Sequence, residues 1–138
     1  MTWLVTGGAG YIGSHVVSNL QQAGVPVVVV DDLSTGIRGF VPEGVPFVKG
    51  SLLDTNLVEK TLREYSITGV IHIAGFKFAG ISVEKPLHTY EQNVTAMMSL
   101  LAAMNTVGVK KIVFSSSSSV YGNAASGLVF EGHPFNPT

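Results

Sequence analysis

Short apolar runs alternate along this chain with longer stretches in which apolar residues recur at helical spacing. Trp3 to Thr6 reads as a strand, and Gly7 to Gly10 as a glycine-rich turn. Tyr11 to Ala23 has helical character, with Ile12, Val16, Val17 and Leu20 near one face. Gly24 suits the left-handed position that ends a helix. Val25 to Val30 is a continuous apolar run, the pattern of a strand covered on both faces. Asp31 to Gly44 is loop-like, and Val45 to Val48 is a third short strand. Asp54 is placed to cap a helix with Leu57, Val58, Thr61, Leu62 and Tyr65 as its inward stripe. Gly69 to Ile73 predicts a fourth strand, closed by Ala74-Gly75. A long helix from Pro86 or His88 to about Val107, stopped by Gly108, leads into a fifth strand at Lys111 to Ser115. After Tyr121-Gly122 the pattern is loop-like to Thr138.

Strands alternating with helices at this spacing imply right-handed crossovers and an α/β fold. The expected architecture is a Rossmann-like, doubly wound parallel sheet forming one domain over residues 1–138. The Ser115 to Ser119 run has the look of a flexible linker, but it directly continues an apolar strand, which favours a strand end. Lys110-Lys111 reads as a solvated helix-to-strand turn.

Composition narrows the function classes. With 46% hydrophobic and 12% charged residues, the 138-residue chain can build a real core and is not of the disordered class. A net charge of −1 gives no footprint for nucleic acid or an anionic membrane. The absence of cysteine excludes disulfides and thiolate zinc sites. His15, His72, His88 and His133 have no metal-like spacing, so no metal is expected. The N-terminus lacks the basic start and cleavage site of a signal peptide, and no apolar run approaches the roughly 18 residues of a membrane span. A soluble, cytoplasmic protein is expected.

The chemistry-bearing segment is Thr6-Gly7-Gly8-Ala9-Gly10-Tyr11-Ile12-Gly13, a Gly-x-x-Gly-x-x-Gly spacing between a strand and a helix. In that context Gly7 permits a tight turn, Gly10 admits a pyrophosphate close to the backbone, and Gly13 lets the helix lie against the strand. The free N–H groups and positive dipole end of the helix would face the phosphates. Asp31 ends the second apolar run, where a carboxylate can accept hydrogen bonds from the adenosine ribose. A carboxylate there repels a 2′-phosphate, so the expected cofactor is NAD and not NADP. Asp31-Asp32 as a solvated loop or capping pair is the plainer alternative.

Four further segments carry a family resemblance: Gly10 to His15, His72 to Lys77, Ser82 to Leu87 with Tyr90 and Asn93-Val94, and Phe114 to Gly122. Together they resemble the UDP-glucose 4-epimerases of the extended short-chain dehydrogenase/reductase family, in register over essentially the whole chain. The resemblance implies a tightly held NAD that takes hydride from C4 of a UDP-sugar and returns it to the opposite face. It implies a serine at Ser117 that hydrogen-bonds the sugar's 4-oxygen, a lysine at Lys77 near the nicotinamide and the substrate, and a cofactor-contacting Asn93. It extends the cofactor contacts to Tyr11 and Ile12, to Asp32, Leu33, Ser34, Thr35 and Gly36, to Ser51 and Leu52, and to Ile73, Ala74, Gly75 and Ser115. Without the resemblance Lys77 reads as a solvated loop residue and Asn93 as a surface polar residue of a helix.

Two departures accompany the match. Ser51 stands where the family has an acid that meets the adenine amino group. The Tyr-x-x-x-Lys motif has no counterpart up to Thr138, and Tyr121 belongs to the Val-Tyr-Gly segment. The resemblance therefore implies an N-terminal portion, its sheet ending after about five strands and its substrate-binding domain absent, that binds NAD without turnover. Ser118-Ser119 occupy the places of the Asp-Glu pair of a dehydratase, which argues against elimination. A UDP-glucuronate epimerase and a non-catalytic dinucleotide-binding module remain the alternatives. The apolar excess of Leu87, Val94, Met97, Met98, Leu100, Leu101 and Met104 on the long helix fits a homodimer.

Overall fold

A computed structural model describes residues 1–123 and 127–137. Five strands, β1 (Thr2–Thr6), β2 (Val27–Asp31), β3 (Phe47–Lys49), β4 (Ile67–His72) and β5 (Lys111–Phe114), form one sheet in the order β3-β2-β1-β4-β5. Every neighbouring pair is parallel. The order reverses at β1, so the crevice above its C-terminal end opens between the β2 and β4 loops, the place where such sheets bind ligands.

Helix α1 (Tyr11–Gln22) covers one face of the sheet, and α2 (Thr55–Glu64) with α5 (Ala96–Val107) covers the other. Val5, Val17, Val27 and Val29 form the core on the α1 side; Leu4, Val28, Val58, Leu62, Val70 and Leu100 form it on the other. All five residues of β2 are buried, as a strand covered on both faces requires. The Asp54 carboxylate accepts from the Leu57 N–H and caps α2 as expected. Gly24 and Gly108 take φ of +68° and +89° beyond α1 and α5.

Three expectations shift. The second strand starts at Val27, because the Val25 N–H closes the end of α1 on the Leu20 carbonyl and Pro26 has no N–H to give a ladder. Ile12, expected on the inward face of α1, is 56% exposed; Gly13 and Ser14 turn inward there. The long helix keeps its expected span from Pro86 to Val107, but a π turn over Glu91–Thr95 interrupts its regular winding between α4 (Pro86–Tyr90) and α5, and a short helix not expected, α3 (Ala79–Glu84), precedes it. Of the apolar excess, Leu100 and Met104 are buried and Met97 is half-buried, whereas Leu87, Val94, Met98 and Leu101 are exposed. Among the described residues, no helix is long and apolar enough to cross a membrane.

Candidate functional site

The turn after β1 is fixed by close backbone approach. Gly7 has φ +69°, and a Cβ there would lie 2.7 Å from the Ala74 backbone. A Cβ on Gly13 would collide with the Gly7 carbonyl. Strand end, turn and first helical turn thus lie against one another with no room for side chains, the packing the glycine spacing predicts. Gly10 differs: a Cβ there meets only the Gly7 oxygen, at 3.3 Å. Only that oxygen would have to give, by a few tenths of an ångström, so what the bareness of Gly10 chiefly leaves open is the cleft itself.

Asp31 ties the turn to the next strand. Its Oδ2 accepts from the Ala9 N–H at 2.9 Å and its Oδ1 from the Leu33 N–H at 2.8 Å. A carboxylate has about four acceptor positions, so two remain for a ligand although Asp31 is only 8% exposed. Asp32 Oδ1 accepts from the Ser34 N–H at 2.8 Å, which curls the following loop back over the strand end. Leu33 takes φ +63° within that curl, and its side chain packs on the α1-side core.

A cleft of about 520 Å³ runs across these loops. It gathers Gly7, Gly10, Tyr11, Ile12 and Gly13 from the turn, and Asp31, Asp32, Ser34, Thr35 and Gly36 from the loop after β2. Ser51 and Leu52 line it beyond β3, and Ile73, Ala74, Gly75 and Lys77 beyond β4. Phe40, Phe76, Phe78, Gln92 and Ala96 line it too and were not read from the sequence. Phe40 lies on a 3-10 turn, Arg38–Phe40, in a stretch without periodicity.

Four candidate residues lie outside the cleft lining. Leu33 is one. Asn93, on the π turn, holds the Phe76 peptide at both ends: the Phe76 N–H donates to Oδ1 at 2.7 Å, and Nδ2 donates to the Phe76 carbonyl at 2.9 Å. It therefore positions the loop that carries Lys77. Ser115 continues the sheet ladder, its N–H on the His72 carbonyl at 3.0 Å. Ser117 caps the 3-10 turn Ser118–Tyr121; its oxygen accepts from the Ser119 N–H at 3.2 Å, and its hydroxyl is 3.0 Å from that of Ser119. Ser117 is exposed at the C-terminal end of the sheet, within the run that follows β5.

Beneath the glycine turn, Thr6 and His72 end β1 and β4 as register partners. Both are buried, and burial pushes the His72 imidazole below its ordinary pKa. Its ring stacks on Phe114 at 5.7 Å, which links the turn to the end of β5.

The arrangement fits a dinucleotide by its own geometry. A bare turn presents a helix N-terminus, a carboxylate with free acceptor positions stands at the next strand end, and a lysine stands on the other side of the crevice. Residues 3–138 match the NAD dependent epimerase/dehydratase family. The chain is 47% identical over 137 residues to a UDP-glucose 4-epimerase of Lactobacillus helveticus, covering 99% of this chain and 42% of the relative. The crystal structure of Thermus thermophilus UDP-glucose 4-epimerase in complex with NAD superposes with a TM-score of 0.91 at 42% identity, over 99% of this chain and 45% of that one. The Bifidobacterium longum UDP-glucose 4-epimerase in complex with NAD+ and UDP gives a TM-score of 0.90 at 36% identity, over 100% and 43%. The chain spans less than half the length of these relatives.

Proposed function

The chain belongs to the NAD dependent epimerase/dehydratase family, and on that premise we propose that it is the NAD-binding portion of a UDP-glucose 4-epimerase. The observation that carries the reading is the shared cleft of the Gly7–Gly13 turn, Asp31 and Lys77. When bound, NAD supplies a reversible hydride acceptor. The chain's own groups hold and orient it: turn N–H groups take the pyrophosphate, Asp31 the adenosine ribose, and the Ile73–Lys77 loop the nicotinamide end. Ser117, exposed beside that end of the sheet, hydrogen-bonds the sugar's 4-oxygen and fixes the face that C4 presents. Lys77 adds a positive charge near the reacting region.

Removal of the 4-hydroxyl proton needs a positioned base, worth about 10²–10⁴-fold. Tyr121 is not placed for that role, because it does not line the cleft; its ring lies beside Phe135 and His133. The proposal therefore assigns NAD binding to this chain and no turnover to it alone. A homodimer, built on the exposed residues of α5 and the π turn, and a cytoplasmic location belong to the same proposal.

The test is a chimaera that joins this chain to the remaining length of the Lactobacillus helveticus relative. It should interconvert UDP-glucose and UDP-galactose at ordinary enzyme rates, and Ser117→Ala should lower kcat by at least about tenfold. A folded, NAD-loaded chimaera without interconversion contradicts the epimerase reading.

A further inference from the structure

We propose that Phe40 is the base-binding residue of the cleft, its ring lying against the purine of the dinucleotide. The inference rests on the NAD reading and adds to it how the adenine end is recognised.

Sheet order sets the direction. The phosphate turn follows β1, Asp31 ends β2, and the next loop outward, Gly50-Ser51-Leu52, follows β3. A nucleotide with its phosphates on the turn and its ribose on Asp31 sends its base toward the β3 side. Phe40, on the loop between β2 and β3, lines the cleft and is 48% exposed.

The polar side chains on that side are each engaged in part with the backbone. The Asp31 oxygens accept from Ala9 and Leu33, Asp32 Oδ1 from Ser34, and the Ser51 hydroxyl oxygen from the Leu53 N–H at 3.2 Å. Beside them Phe40 adds an aromatic face to that side of the cleft.

The turn that carries the ring is also held in advance. The Ile37 N–H donates to the Ala9 carbonyl at 2.9 Å, so the Phe40 turn hangs from the phosphate turn itself. The Phe40 N–H donates to the Ile37 carbonyl at 2.9 Å, and Val41 beside it is buried in the core. Arg38 donates to the Val41 carbonyl at 3.2 Å, with its guanidinium 4.6 Å above the Phe47 ring. A turn fixed before the ligand arrives leaves only the side chain to order on binding. Stacking reads a ring and not its hydrogen-bonding edge, so it tolerates changes of exocyclic group.

Calorimetric titration of wild type, Phe40→Ala and Phe40→Trp with NAD, ADP-ribose and nicotinamide hypoxanthine dinucleotide tests this. Phe40→Ala should weaken NAD and ADP-ribose by the same factor, about 5- to 100-fold. Phe40→Trp should restore affinity, with indole fluorescence quenched on ADP-ribose binding. The hypoxanthine analogue should bind wild type within about tenfold of NAD. Phe40 belongs to neither core cluster, and an unchanged thermal midpoint of Phe40→Ala shows that the fold is kept. Wild-type affinity in Phe40→Ala, a loss for NAD but not ADP-ribose, or rejection of the analogue each overturns the inference alone. A wild type that binds neither NAD nor ADP-ribose overturns the NAD reading and this inference with it.

Discussion

Thr6 Oγ1 lies 2.7 Å from His72 Nδ1, across the two strands that flank the crevice. The Thr6 hydroxyl oxygen also receives the Ala74 N–H at 3.4 Å, so the hydroxyl joins the imidazole to the start of the loop after β4. The glycine turn starts at the next residue, so this buried pair is its foundation.

Acid should loosen that foundation. Burial lowers the folded pKa of His72 below the ordinary 6.5, so the unfolded chain binds the extra proton more readily. Stability from the neutral ring is complete above about pH 6.5 and is lost as pH falls from there through the folded pKa. Thermal midpoints between pH 8 and pH 5 should fall more steeply in wild type than in His72→Gln. Parallel curves would show that His72 does not titrate against folding.

Thr6→Val leaves Nδ1 without its hydrogen-bond partner at nearly constant volume. The expected loss is about 1–3 kcal/mol, read from denaturant unfolding, whereas Thr6→Ser should keep most of the stability. Equal losses in both would place the effect in packing and not in the hydroxyl.

Two glycines in one turn should behave differently. Gly13→Ala drives a Cβ into the Gly7 carbonyl and should destabilise the fold by about 2 kcal/mol or more. Gly10→Val should leave the thermal midpoint within a few degrees and abolish NAD binding, because its side chain enters the cleft. Paired melting and calorimetry separate the two; NAD affinity retained in Gly10→Val would exclude a pyrophosphate at that backbone.

Asn93→Ala removes both hydrogen bonds to the Phe76 peptide. Amide exchange in residues 73–78 should speed up, with a stability loss of about 1–2 kcal/mol. Asn93→Asp should be at least as damaging, since a carboxylate oxygen would face the Phe76 carbonyl. Unchanged exchange in both variants would mean that the loop is held by other contacts.

The sequence was most legible where one period ruled. The β1–turn–α1 unit, the buried β2 and the Asp54-capped α2 follow from apolar runs, glycine spacing and a capping residue, all local signals. It was least legible between Phe76 and Thr95. There the helical pattern conceals a π turn whose Asn93 engages a peptide 17 residues earlier in the chain, a tertiary contact without periodicity. Ile12 misled for a related reason: helical spacing placed it inward, but Gly13 must take that place against Gly7. Lys77 and Gly75 needed the family resemblance, since a lysine after a strand carries no signal of its own. Phe40 lay in a stretch with neither pattern nor motif.

The measurement closest to the central claim is calorimetric titration of the purified chain with NAD and with NADP. One NAD per chain should bind, and NADP at least about tenfold more weakly, because the 2′-phosphate would meet the Asp31 carboxylate. Absence of NAD binding at millimolar concentration, or equal affinity for the two dinucleotides, would contradict the account.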